Sequence, residues 1–206
     1  MDTNKYIIGG IIAVFLVITG IWLIKRPASS APASPPETAF VMSTSTYATS
    51  TMGISATYPK TYAVNESYAY DQFGPKKLIL GVKFLIPDTV ATGTNLSAFD
   101  TGVSIEELPH AIHCSADIYL PSNVRAQLFI INGTTYSVAS SSGAGAGNLY
   151  EETIYALPDS KPCTALRYFI HSTNIGNYPA GTVQEYDRAA LLKDFDGIRD
   201  SIQLTR

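Results

Sequence analysis

Apolar residues are unevenly spread along this chain of 206 residues. Residues 6–24 read YIIGGIIAVFLVITGIWLI and carry no charge. As a helix they would extend about 28 Å, close to one bilayer core, and they outrun the roughly 7 to 15 apolar residues of a cleaved signal. The pattern predicts a single transmembrane helix, with Tyr6 and Trp22 at its two interfaces and residues 1–5 as a short tail. Cleavage by a signal peptidase after Ala31-Pro32-Ala33 is the alternative. Residues 27–51 contain four Pro, six Ser, five Thr and five Ala, with Glu37 as the one charge. Such a segment lacks the apolar surface to fold, and its Pro-rich half favours extended backbone, so it reads as a linker reaching up to about 75 Å. Residues 52–206 are left as one globular domain.

Within that domain the period is mostly two. Residues 53–58 alternate and end at Pro59, and residues 101–108 place Val103 and Ile105 on one face. Residues 78–86 (LILGVKFLI) are apolar nearly throughout, which predicts a central strand covered on both faces. Asn132-Gly133 joins 127–131 to 134–139 as a hairpin, and the turn-rich residues 158–162 join strands at 149–157 and 164–171. The period then changes: Leu191, Phe195, Ile198 and Ile202 share one helical face, with Asp187 as the N-cap. Antiparallel strands followed by a terminal helix predict an α+β fold.

Residues 53–60 (GISATYPK) resemble the opening strand of PsbP-like domains, and Phe195-Asp196-Gly197-Ile198 through Ser201-Ile202-Gln203-Leu204 resemble their closing helix and short last strand. Residues 169–178 together with Phe195-Asp196 are similar to uncharacterised bacterial proteins with an N-terminal membrane anchor. The resemblance covers roughly residues 52–206. It implies an antiparallel sheet flanked by helices and no reaction, since such domains are mostly accessory, scaffolding or binding modules.

Charge narrows the partners. Beyond the apolar segment and its flanking lysines and arginine the chain holds 11 basic and 16 acidic residues, a net charge of −5, which disfavours a nucleic-acid partner. Two cysteines, Cys114 and Cys163, are economically read as a disulfide formed in an oxidising compartment, the alternative being two unconnected buried thiols. No metal or cofactor is expected. His110, His113 and Cys114 (HAIHC) follow Pro109, which spoils the helical spacing that shared metal ligation needs. The run 143–147 (GAGAG) lacks the Lys-Ser/Thr of a phosphate-binding loop and reads as a flexible loop. His171-Ser172 with Asp187 or Asp196 could compose a hydrolytic triad, but no serine sits in a G-x-S-x-G elbow. His171, Asn174 and Asn177, at and just beyond a strand end, are a candidate binding loop. Of 13 tyrosines, Tyr58, Tyr62, Tyr68 and Tyr70 cluster early, as core rings or as an exposed strip for a carbohydrate or protein partner.

The expected protein is a single-pass, non-enzymatic binding or assembly module at the bacterial inner (cytoplasmic) membrane, anchored through residues 6–24, with its domain outside the cytoplasm. An envelope hydrolase is one rival. A cytoplasm-facing regulator is the other, because Lys25 and Arg26 outnumber Lys5 across the apolar segment.

Overall fold

A computed structural model describes residues 43–205. The predicted transmembrane helix and the first part of the predicted linker lie outside the described residues. Among the described residues no helix is long and apolar enough to cross a membrane.

Among the described residues ten strands form two antiparallel sheets. In the smaller, β1 (Thr44–Thr49), β2 (Ile54–Pro59) and β10 (Gln203–Leu204) lie in the order β1-β2-β10. The larger has seven strands in the order β3-β4-β5-β9-β8-β7-β6: β3 (Ala63–Tyr70), β4 (Ile79–Leu85), β5 (Gly102–Leu108), β6 (Gln127–Ile131), β7 (Thr134–Gly145), β8 (Asn148–Leu157) and β9 (Cys163–Thr173). The helices are α1 (Asp88–Ala91), a single turn, and α2 (Arg188–Asp200). The α+β class and its antiparallel sheet therefore stand, but α2 is the one helix longer than a turn among the described residues. The expected flanking by helices is corrected to flanking by this one helix among the described residues.

Three other expectations change. Residues 44–49, placed in the linker by composition, are β1, paired with β2 from Thr44↔Pro59 to Thr49↔Ile54. Tyr47 supplies the reason: its ring packs edge-on against Phe84, 5.8 Å between centroids, so one aromatic side chain ties a Ser/Thr strand to the core. The apolar run 78–86 forms β4, which is next to the edge and not central, and Leu80 is 64% exposed. The centre belongs to β9. Residues 143–147 form no loose loop: β7 runs to Gly145, and Ala146 (φ 50°) and Gly147 (φ 83°) make a two-residue turn into β8. Asn132 (φ 49°) and Gly133 (φ 82°) make the same turn between β6 and β7.

The two faces of the large sheet have different covers. On the inner face Val82, Phe84, Val103, Ile105, Leu166, Tyr168 and Ile170 pack with Ile54 and Ala56 of β2 and with Leu191, Phe195 and Ile198 of α2. Leu191, Phe195 and Ile198 of the predicted stripe are thus buried, whereas Ile202 lies beyond the end of α2 and is half-buried, and the Asp187 carboxylate accepts from Ala190 N at 3.0 Å as the N-cap. On the outer face a second core gathers Ile79, Tyr119, Leu120, Ala139, Ile154, Ala156 and Ala165 under a cover that contains the 3₁₀ turn Ala116–Tyr119. The Cys114–Cys163 disulfide, Cα atoms 5.0 Å apart, fastens that cover to the start of β9. It reaches only part of the face.

Candidate functional site

What the cover leaves open is a cavity of about 550 Å³ on the outer face, lined by residues of β3, β4, β7, β8 and β9 and by Asp71-Gln72, Asp100 and Pro121-Ser122 from the connecting segments. Strand register decides which side chains meet there. Lys83 lies opposite Ser104, which lies opposite Arg167, while Glu152 lies opposite Phe169 and Tyr150 opposite His171. Residues directly opposite share a face, so one continuous surface carries the charged side chains Lys83, Glu106, Glu152 and Arg167.

Arg167 is fully buried. Its Nε and Nη2 donate to the two carboxylate oxygens of Glu106 at 2.7 and 2.8 Å, a bidentate pair, and Nη1 donates to Glu152. Nη2 also reaches the Tyr119 carbonyl at 2.8 Å, and the guanidinium lies 3.5 Å from the Tyr70 ring centroid. Ser104 Oγ donates to Glu106 at 2.6 Å, and the Tyr70 hydroxyl donates to Glu152 at 3.2 Å. Burial opposes the Arg167 charge, yet the two carboxylates outweigh it and hold the guanidinium above its ordinary pKa. Burial likewise raises the Tyr68 and Tyr70 hydroxyls, which stay protonated donors. Every partner of this network is satisfied, which makes it a rigid floor.

Lys83 differs. It is 6% exposed, and its Nζ sits 4.8 Å from the centroid of the Phe169 ring and 5.1 Å from that of Tyr68. Among the described residues it forms no ion pair, and none of the buried side-chain nitrogens there lacks a hydrogen-bond partner, so its Nζ is no sealed orphan but opens onto the cavity. Burial pushes the ammonium down to about 8, against the pull of Asp100 and Glu106 toward the charged form. Asp100, the larger of these two pulls, is itself engaged: its carboxylate faces His171 Nδ1 at 2.8 and 2.9 Å and accepts from Ser97 Oγ at 3.1 Å.

His171, Asn174 and Asn177 lie beside the cavity and do not line it. The His171 ring stacks on Tyr150 at 4.6 Å, with Nε2 3.0 Å from Asn148 Oδ1. Asn174 Oδ1 accepts from Gly176 N at 2.9 Å, and Asn177 Nδ2 donates to the Gly147 carbonyl at 2.9 Å. These three thus brace the β7–β8 turn and the wall residue Tyr150. The triad residues stay apart: His171 and Ser172 are adjacent on β9 and face opposite sides, Asp187 caps α2, and Asp196 accepts from the Tyr168 hydroxyl at 3.0 Å. His171 takes Asp100 as its carboxylate, a partner the sequence reading lacked. Cys114 is consumed by the disulfide and is no metal ligand, while His110 and His113 lie exposed on a loop. Lys83, Glu106 and Arg167 were also missed. Their signal is charge inside apolar runs, LILGVKFLI, GVSIEEL and TALRYFIH, where a charge that becomes buried needs a partner or a task.

No protein-family model matches the chain, and no curated protein matches it in sequence. Among solved structures it is similar to the solution structure of cyanobacterial PsbP (CyanoP) from Synechocystis sp. PCC 6803, at 13% identity over 84% of this chain and 99% of that one, with a TM-score of 0.29. At that score the architecture rests on the chain's own strand register.

Proposed function

We propose that this chain is a membrane-anchored, extracytoplasmic binding module of PsbP-like type, which holds a small polar ligand in the outer-face cavity. The cavity carries the proposal: about 550 Å³ suits a small molecule, and aromatic rings beside a few polar groups on a rigid floor are the composition of a ligand site. Tyr68, Tyr150 and Phe169 offer ring faces; Lys83, Asp100, Gln72 and Ser141 offer donors and acceptors. Placement on strands of a seven-stranded sheet gives these groups fixed positions.

Two further observations support the rest. The disulfide favours an oxidising compartment, since such bonds persist outside the cytosol. The two segments that resemble PsbP-like domains meet in space: Gln203 and Leu204 pair with Ser55 and Ile54, and Ser201 Oγ accepts from Thr57 N at 2.8 Å. The anchor is the uncharged run 6–24, with the domain on the outer side.

The test has two arms on the full chain. A Ser34→Cys variant should react with a membrane-impermeant thiol reagent in intact cells; protection until lysis supports the cytoplasm-facing alternative. Protein drawn from its native membrane and then denatured should release a small molecule detectable by mass spectrometry, and Phe169→Asp should abolish it. Release of nothing, or equal release from the variant, removes the cavity as the site.

A further inference from the structure

We propose that Lys83 is a nucleophilic amine that captures the carbonyl group of a small aldehyde or ketone ligand as an imine on the floor of the outer-face cavity. This rests on the cavity being a ligand site. The geometry singles Lys83 out. Among the described residues Arg167 is engaged by Glu106 and Glu152 and Asp100 by His171, whereas Lys83 has ring faces for neighbours and no ion pair. A lysine kept nine-tenths buried for structure alone would be paired, because desolvating an unpaired ammonium is costly. Lys83 instead lines the cavity of about 550 Å³, where a ligand reaches it.

The environment suits the chemistry. Burial lowers the ammonium to about 8, so at pH 7.5 roughly a quarter of it is free base, against about one part in a thousand for an ordinary exposed lysine. The Nζ lone pair adds to the carbonyl carbon and the π pair moves to oxygen, giving a carbinolamine. That oxygen then leaves as water with two of the three protons the ammonium began with. The products are a protonated imine and one water, so charge is conserved and no oxidant or reductant enters. The iminium occupies the place of the ammonium, between the Tyr68 and Phe169 rings, where Asp100 and Glu106 favour a positive charge. Asp100 and Glu152 line the same space and can relay protons. Ser122, Ser141, Ser142 and Gln72 add hydrogen-bonding groups around it, which favours a carbonyl compound that also bears hydroxyls.

The experiment treats the full chain in detergent micelles at pH 7.5 with glycolaldehyde and sodium cyanoborohydride, which reduces any imine to a stable amine, and follows each lysine by peptide mass spectrometry. Lys83 should be modified at least about 10-fold faster than the exposed Lys60, Lys76, Lys77, Lys161 and Lys193, the free-base advantage being partly offset by lower basicity. Lys83→Arg, which keeps the charge and the ring contacts, should lose the fast adduct and leave the other rates unchanged. A parallel reaction with acetic anhydride needs only a reachable free amine. Fast acetylation of Lys83 without fast reductive labelling overturns the imine and leaves the cavity standing. Slow reaction of Lys83 with both reagents overturns the imine and the accessible cavity together.

Discussion

Replacing Lys83 by Met should stabilise the protein at neutral pH and abolish a pH dependence that the unaltered chain shows. Burial moves the ammonium from its ordinary 10.5 to about 8, and with 6% exposure solvent screens little of that cost. A displacement of this size corresponds to about 3 kcal/mol of folding free energy. Below about pH 8 both the folded and the unfolded chain hold the proton, and the folded state bears the full cost. Between about 8 and 10.5 the unfolded chain holds a proton that the folded one has released, so stability rises with pH by up to about 1.4 kcal/mol per pH unit. Above that range the cost is gone. Met fills similar space without a charge, but Lys83→Met forfeits two cation–π contacts, each worth about 0.5 to 1 kcal/mol. The net gain at pH 7 is therefore about 1 to 2 kcal/mol, shrinking toward zero by pH 10. Urea unfolding of both full chains in the same micelles, followed by tyrosine near-ultraviolet circular dichroism at pH 7, 8, 9 and 10, measures the difference directly. A variant less stable at pH 7, or a difference constant across the four values, would refute a desolvated ammonium at this position.

Two predictions concern the scaffold. Phe195→Ala should cost about 3 to 5 kcal/mol, because the ring is fully buried and packs 5.3 Å from Tyr168, while Lys193→Ala on the exposed side of α2 should change stability by less than about 0.5 kcal/mol; equal small effects in urea unfolding would mean that α2 does not pack on the sheet. The double change Cys114→Ala/Cys163→Ala should cost about 4 kcal/mol by freeing a loop with a sequence separation of 49, and a loss under about 1 kcal/mol would show that the outer cover holds by packing alone.

Local pattern was enough to determine much of the inner half of this protein. The stripe Leu191, Phe195, Ile198, with Asp187 at its head, is a helix in any compact context because its apolar face has one period and its first amide has a ready acceptor. The Asn132-Gly133 hairpin is equally local, since a type I′ turn requires positive φ at both positions and this pair adopts it cheaply. The disulfide is the economical reading of two cysteines with no metal-ligand spacing, and the structure decides it against two unconnected thiols. Strand order did not follow: apolar content makes residues 78–86 look central, but which strand ends beside the edge depends on pairing partners far away in the chain. β1 and β3 were illegible for the same reason, being polar strands that exist because β2 and β4 offer them hydrogen bonds. The candidate site lies wholly on this second side. Lys83, Glu106, Glu152 and Arg167 come from four separate strands, and only antiparallel register, which sets residues opposite one another on one face, brings them to a common floor and leaves Lys83 without an ion pair among the described residues.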